Sequence, residues 1–125
     1  MTQLTPTATS ERQKIQRYGQ GRFTVSGTAF TGSVLVLPRE TVPWVVTDIL
    51  AIPAAAMNIL IERAQGLDLC IIGCGPRVVM LAPAVRAAFK AASLHVELMD
   101  TGSACRTFNV LTAENRAVGA ALIAI

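Results

Sequence analysis

The segment Ile71–Val78, IIGCGPRV, is the sharpest local motif, because a buried strand that runs into Gly-x-Gly is typical of dinucleotide-binding folds. In that fingerprint the glycines allow a tight turn, and a helix that begins at once binds the pyrophosphate. Here Val78 occupies the third glycine position, Pro76 lacks a backbone donor, and the next predicted helix begins only at Pro83. The simpler interpretation is that the glycines at Gly73–Gly75 turn the chain after a central strand, and we expect no cofactor.

Cys105 is the second candidate, since it falls in the first turns of a predicted helix beside Arg106. The helix dipole and the adjacent cation both favour a thiolate there, which would make the thiol reactive. A nucleophilic cysteine also needs a base, and the single histidine, His95, lies in a strand pattern upstream with nothing to place it beside the thiol. A packed, inert cysteine is the alternative interpretation.

Metal and acid-base chemistry find little support in the remaining residues. The three cysteines, Cys70, Cys74 and Cys105, form no CxxC pair, so we expect neither a metal site nor a disulfide framework. Glu97 and Asp100 straddle a strand end, and the other carboxylates are scattered. We therefore predict no catalytic residues, and an enzyme is the less favoured class.

The bulk composition indicates a chain whose surface is poor in charge. The 125 residues suit one domain, with an apolar fraction of 52% and a charged fraction of 15%. A thin polar surface indicates that a protein partner covers some apolar area, and it leaves a homo-oligomer open. The net charge of +3 comes from scattered bases with few aromatic neighbours, so nucleic-acid binding is not expected.

We expect no membrane or export signal in the first residues or in the apolar stretch 45–61. Residues 1–14 lack the apolar core of a signal peptide, and we expect a disordered tail there before a single domain at residues 15–125. The stretch 45–61 is interrupted by Asp48, Pro53 and Asn58, so we expect no membrane span. A cytoplasmic location, or the mitochondrial matrix in a eukaryote, fits these features.

The order of predicted elements favours an α/β fold. The N-terminal third is rich in glycine and predicts short strands around Tyr18, at Arg22–Ser26, at Ser33–Leu37 and at Val42–Val46. Helical spacing then predicts helices from Pro53 to Gly66, from Pro83 to Ala92, and from a cap at Asp100, Thr101 or Ser103 to Glu114–Arg116. Further strands are predicted at Leu67–Gly73, His95–Met99 and Arg116–Ile125, although the last segment is alanine-rich and a helix is its alternative. This alternation implies right-handed crossovers onto a mostly parallel sheet.

Polar residues of the third predicted helix converge on the glycine turn if the two preceding strands are neighbours. The carboxyl ends of parallel strands meet at one edge of a sheet, where open α/β folds bind ligands. Side chains there either cap and tie the loops or bind something. The guanidinium fork of Arg106 is expected to hold loop carbonyls or a ligand carboxylate. The candidate pocket or partner site comprises Gly73, Gly75, Thr101, Cys105, Arg106, Thr107 and Asn109.

The segment Met99–Ile123, MDTGSACRTFNVLTAENRAVGAALI, resembles the signature of a widespread family of small α/β proteins of unknown activity in bacteria and archaea. The mitochondrial members of that family include respiratory complex I assembly factor 3. The resemblance continues through Tyr18–Pro38, Trp44, the IIGCG turn and Pro83. Phe108 stands where many members carry tyrosine, so proton chemistry at this ring loses support.

This resemblance implies a three-layer domain whose central mixed sheet has one antiparallel strand, which we assign to the C-terminal segment. It implies no established enzyme activity, and for the mitochondrial members it implies partner binding during assembly of a respiratory complex. Our first hypothesis is therefore a non-enzymatic accessory or assembly protein that binds a protein partner, such as a subunit of a membrane respiratory complex. The alternative is a small-molecule-binding or thiol-dependent enzyme that uses the Gly73–Gly75 turn and Cys105.

Overall fold

The structure is a computed structural model, and it describes residues 11–125. Its strands form a three-stranded sheet in the order β1-β2-β3 and a five-stranded sheet in the order β5-β4-β8-β6-β7. In chain order the elements are β1 (Ile15–Gly19), β2 (Arg22–Val25), β3 (Thr28–Thr31), β4 (Val34–Val36), β5 (Thr41–Pro43), α1 (Ala54–Arg63), β6 (Leu69–Gly73), α2 (Pro83–Ala91), β7 (Val96–Met99), α3 (Thr101–Ala113) and β8 (Val118–Leu122).

Two tight hairpins build the three-stranded sheet. The two-residue turns Gln20–Gly21 and Ser26–Gly27 have positive φ at both positions, between 47° and 85°. Such turns match the right-handed twist of antiparallel strands, and glycine adopts them without strain. The predicted glycine-rich β region is therefore present, although the strand β3 was not predicted, because its residues show no clear apolar alternation.

The five-stranded sheet is mixed, as predicted, but its antiparallel strand is not the C-terminal one. Strand β8 runs parallel to β6, and β6 runs parallel to β7. Strand β4 is antiparallel to both of its neighbours, β5 and β8. The helical crossover through α3 returns the chain in its original direction, whereas the short turn at Leu37–Glu40 reverses it. The assignment of the antiparallel strand to the C-terminus is thus corrected to β4.

The central sheet is buried on both faces, which makes the domain three-layered. Alternate residues of β6 point to opposite sides, with Ile72 in one core and Ile71 in the other. The first core lies under α1 and α2 and includes Leu60 and Phe89. The second core lies under α3 and the three-stranded sheet, where Phe23 and Phe108 are fully buried. The predicted three-layer architecture is confirmed.

The C-terminal segment is a strand and not the alternative helix. Every residue of β8 is buried, and the strand lies between β4 and β6, where neighbours on both sides satisfy its backbone groups. Gly119 leaves room for the Leu67 side chain, because a Cβ there would lie 2.8 Å from Leu67 Cδ1 and the leucine would have to shift. The small side chains of β8 fit the limited space around this central strand. Tertiary packing therefore overrides the helical propensity of alanine.

The predicted tail at residues 1–14 falls largely outside the described residues, since the structure describes only 11–14 of it. Within that part, Gln13 is buried, its amide donates to Pro38 O at 3.0 Å, and its side-chain oxygen accepts a hydrogen bond from the Thr41 hydroxyl at 2.7 Å. Gln13 is therefore packed into the fold, although we placed it in the tail. In the described part of the chain, no helix is long and apolar enough to cross a membrane.

Candidate functional site

Three chain segments meet at the side chain of Thr101, which is completely buried. Its hydroxyl donates a hydrogen bond to Ile123 O at 2.7 Å and accepts one from the Gly75 amide at 3.0 Å. The Thr101 amide in turn donates to Gly75 O at 2.9 Å. This one residue therefore links the turn after β6, the start of α3 and the end of β8.

The two glycines of the turn are favoured for different reasons, close packing at Gly73 and backbone conformation at Gly75. A Cβ at Gly73 would lie 3.1 Å from both the Cα and the Oγ1 of Thr101, and 3.0 Å from Leu122 Cδ2. The backbone at Gly75 has φ +113°, a conformation that side-chain-bearing residues rarely adopt. The predicted convergence of Gly73, Gly75 and Thr101 is present in the structure, because β6 and β7 are parallel neighbours.

The geometry opposes phosphate binding at this turn. The Gly75 amide is already bonded to Thr101, and the Cys74 amide donates to Met99 O at 2.8 Å. Helix α2 begins ten residues after Gly73, at Pro83, so no helix N-terminus follows the turn directly. Donors that bind a pyrophosphate in dinucleotide folds are committed to the protein here.

Asp100 is the cap of α3, out of the three residues that the sequence proposed. Its carboxylate accepts hydrogen bonds from the Ser103 hydroxyl at 2.6 Å and from the Ser103 amide at 3.0 Å. These two bonds, aided by the positive charge of Arg106, hold the pKa of Asp100 below its ordinary value. The cap therefore stabilises the fold at neutral pH, and its contribution is lost as the pH falls through the lowered pKa.

Arg106 lies on the surface, and its guanidinium donates to hydroxyl groups of the protein and not to loop carbonyls. Its Nη1 donates to the Tyr18 hydroxyl oxygen at 2.6 Å, and its Nη2 donates to Ser103 Oγ at 3.2 Å. The Tyr18 ring lies against Gly102, where a Cβ would be 3.2 Å from the hydroxyl oxygen. Gly102 thus allows the tyrosine of β1 to approach the first turn of α3. The i, i+3 spacing places Ser103 on the same helical face as Arg106, whereas no local pattern places Tyr18 beside them.

Asn109 fastens β1 to α3 through both ends of its amide. Its Oδ1 accepts from the Ile15 amide at 2.9 Å, and its Nδ2 donates to Ile15 O at 2.8 Å. The side chain completes the backbone pairing of an edge residue, as a neighbouring strand would. Thr107 is half-buried and has no side-chain hydrogen bond within residues 11–125, so it does not join this set.

Cys105 is buried in the second core with 1% of its surface exposed. Burial raises the pKa of Cys105 to about 12, and the nearby Arg106 charge offsets only part of that effect. Burial therefore opposes a thiolate in this conformation, because desolvation outweighs the effects of the helix dipole and the adjacent cation. His95 cannot serve as its base, since it lines a groove on the opposite face of the sheet. Within the described part of the chain, no three metal-ligating side chains converge.

Comparison with known proteins identifies relatives of this chain. The family described as "Protein of unknown function (DUF498/DUF598)" matches residues 15–123. NADH dehydrogenase (ubiquinone) 1 alpha subcomplex assembly factor 3 of Bos taurus is 33% identical over 109 residues, which are 87% of this chain and 59% of the bovine protein. An uncharacterized protein of Rhodobacter capsulatus is 35% identical over 109 residues, covering 87% of this chain and 82% of that protein.

The fold is also shared with solved structures. A crystal structure described as an outer membrane protein of Bartonella henselae superposes with a TM-score of 0.82 at 30% identity, covering 91% of this chain and 96% of that one. The chain thus spans most of its bacterial relatives but only about three fifths of the bovine assembly factor.

The Thr101 hydroxyl is open to a conservative test. Thr101→Val keeps the shape but leaves the Gly75 amide and Ile123 carbonyl without their partner, so we expect a loss of about 2–4 kcal/mol in the free energy of unfolding. Thr101→Ser keeps the hydroxyl and should lose about 1 kcal/mol or less. Urea denaturation monitored by circular dichroism measures both. Equal stabilities for the two variants would show that the hydroxyl is dispensable.

The buried thiol predicts slow chemical modification. Iodoacetamide should label Cys105 in the native protein at pH 7–9 only at the rate of unfolding, because the thiol is inaccessible and its pKa is raised to about 12. In urea, where the pKa returns to about 8.5, labelling should become fast. Mass spectrometry of the peptide that contains Cys105 distinguishes it from Cys70 and Cys74. Rapid labelling of the native protein at pH 7 would contradict this description.

The two hydrogen bonds of Arg106 predict a modest contribution to the free energy of unfolding, which depends on the planar guanidinium group. Arg106→Lys keeps the charge but cannot reach both hydroxyls with one planar group, so we expect a loss of about 0.5–1 kcal/mol, close to that of Arg106→Ala. Tyr18→Phe should lose a similar amount, and the double variant should lose less than the sum. Additive losses in urea denaturation would mean that Arg106 and Tyr18 do not act together.

Proposed function

We propose that this chain, which belongs to the DUF498/DUF598 family of proteins of unknown function, is a non-enzymatic accessory protein that assists assembly of a respiratory NADH dehydrogenase by binding a protein partner. The observation that carries the proposal is the 33% identity to an assembly factor for that enzyme over 87% of the chain. The alignment covers only 59% of that relative, so the proposal concerns the part of the assembly factor that this chain matches.

The geometry of the signature residues supports a binding role over a chemical one. Thr101 and Asn109 are committed to internal hydrogen bonds, and Cys105 is buried with a raised pKa. What remains accessible is surface, including exposed apolar side chains such as Val78 and Met80 on the loop that leads into α2. Exposed apolar side chains favour contact with another macromolecule over catalysis.

The cellular location is inferred from the proposed role. A bacterial chain of this kind would act in the cytoplasm on subunits not yet inserted in the membrane, and a eukaryotic one in the mitochondrial matrix.

The alternative function, a thiol-dependent enzyme, loses the support of Cys105 because of its burial. The other form of the alternative is binding of a dinucleotide at the Gly73–Gly75 turn. A thermal-shift assay tests it, and we expect millimolar NAD or NADP to leave the melting temperature unchanged.

Co-purification from native membranes tests the proposal. The full chain, tagged and produced in the cells it comes from, should retain NADH dehydrogenase subunits in mild detergent. It should retain none in a strain that lacks that enzyme, which serves as the control. Deletion of the chain should lower the amount of assembled NADH dehydrogenase on a native gel. Normal assembly in the deletion strain, with no subunit retained, would sink the proposal.

A further inference from the structure

We propose that the open edge of β7, with the groove beside α2, is the docking site for an extended acidic segment of a protein partner, which adds to the central sheet as a sixth strand. The identity of the partner rests on the proposed function. The partner segment would bind by strand addition, in which backbone hydrogen bonds supply affinity and flanking side chains supply selectivity.

Strand β7 has one neighbour, β6, so one of its edges is unpaired within residues 11–125. The carbonyls of His95 and Met99 accept from the amides of Cys70 and Cys74, which places these backbone groups on the β6 side. Because backbone groups alternate along a parallel strand, those of Val96 and Leu98 face the open edge. An unpaired row of this kind is a template for another strand.

The other edge of the sheet is protected. Strand β5 has three residues and ends in Pro43, which has no amide to donate. Strand β7 carries no proline, and its residues are only half-buried or exposed, whereas β4 and β8 are fully buried. The β7 edge therefore offers a row of backbone donors and acceptors to an added strand, whereas the short β5 edge is interrupted by proline.

An apolar groove of about 480 Å³ runs beside this edge. Val96 and Leu98 form one wall with their side chains, and α2 supplies the other. The apolar lining consists of Leu81, Phe89, Leu94, Val96 and Leu98. A strand added at β7 would direct alternate side chains into this groove, so backbone pairing and apolar burial would occur together.

The charges around the groove indicate an acidic occupant. Arg86 and Lys90, one turn apart on α2, are exposed and line the groove. Neither Arg86 nor Lys90 has an ion-pair partner in the described part of the chain. Glu97, the acidic residue of β7, alternates with Val96 and Leu98 and so points to the opposite face. Positive charge without a partner thus lies beside open backbone donors and acceptors.

The test uses a defined peptide and the full chain. The hexapeptide acetyl-Glu-Val-Leu-Glu-Glu-Val-amide presents acidic and apolar side chains on both faces of a strand. Titrated to millimolar concentration against isotope-labelled protein, it should shift the NMR amide signals of Val96, Leu98 and α2, and slow hydrogen exchange at Val96 and Leu98. The same peptide with lysine for glutamate, or with methylated backbone nitrogens, should not bind.

Charge reversal supplies the matched control. Arg86→Glu with Lys90→Glu should weaken peptide binding about tenfold. Arg17→Glu with Arg22→Glu changes the net charge equally on exposed positions of the three-stranded sheet and should leave binding within about twofold. Absence of binding, or binding unaffected by reversal at α2, would overturn the inference.

The outcomes separate this inference from the proposed function. If NADH dehydrogenase subunits co-purify equally with the wild-type chain and with the Arg86→Glu, Lys90→Glu variant, the docking site is wrong and the assembly role stands. If peptide binds as expected but assembly is normal without the chain, the site stands and the assembly role is wrong. Slow exchange at Val96 and Leu98 without peptide, with concentration-dependent dimers, would assign the edge to a second copy and overturn the inference.

Discussion

The hydroxyl of Thr101 satisfies backbone groups from two different segments at a fully buried point of the domain. The chain leaves β6, enters α3 and ends β8 within a few ångströms, and each of these ends presents backbone groups that secondary structure does not pair. A threonine hydroxyl can donate and accept at once, so it bonds the Ile123 carbonyl and the Gly75 amide together. Gly73 has no side chain for the same reason, because a Cβ would press against Thr101.

This junction occupies the edge of the sheet where open α/β folds usually bind ligands. Here the protein's own side chains fill it, and two further polar residues of α3 extend the same role outward. Asn109 holds Ile15, and Arg106 holds Tyr18, so both attach the three-stranded sheet to the helix. Residues that resemble a binding site in the sequence therefore join layers of the fold, which directs attention to other surfaces for function.

Apolar periodicity and turn residues were sufficient to predict most elements, because α1, α2 and α3 each show helical spacing. The start of α1 and α2 is marked by Pro53 and Pro83, whereas three adjacent residues could have capped α3. The strand direction of β4 could not be predicted, since it depends on a short reversal at Leu37–Glu40 and on pairing with β8 far along the chain.

The sequence indicated which residues of the candidate site lie near one another, but not which contacts their side chains make. Parallel strand ends place Gly73 and Thr101 together by topology. The pKa of Cys105 could not be inferred in the same way, because its burial depends on the packing of α3 against both sheets. The role of Tyr18 depends on a contact across 88 residues of sequence that local patterns do not reveal.

Native-state hydrogen exchange at the Gly75 amide tests most directly whether the junction is a closed structural joint. If the Thr101 hydroxyl holds it as described, this amide should exchange only when the whole domain unfolds, with a free energy equal to that from urea denaturation. Exchange through a local opening several kcal/mol below that value would contradict the account, because it would mean that the turn opens in the native state and leaves room for a ligand.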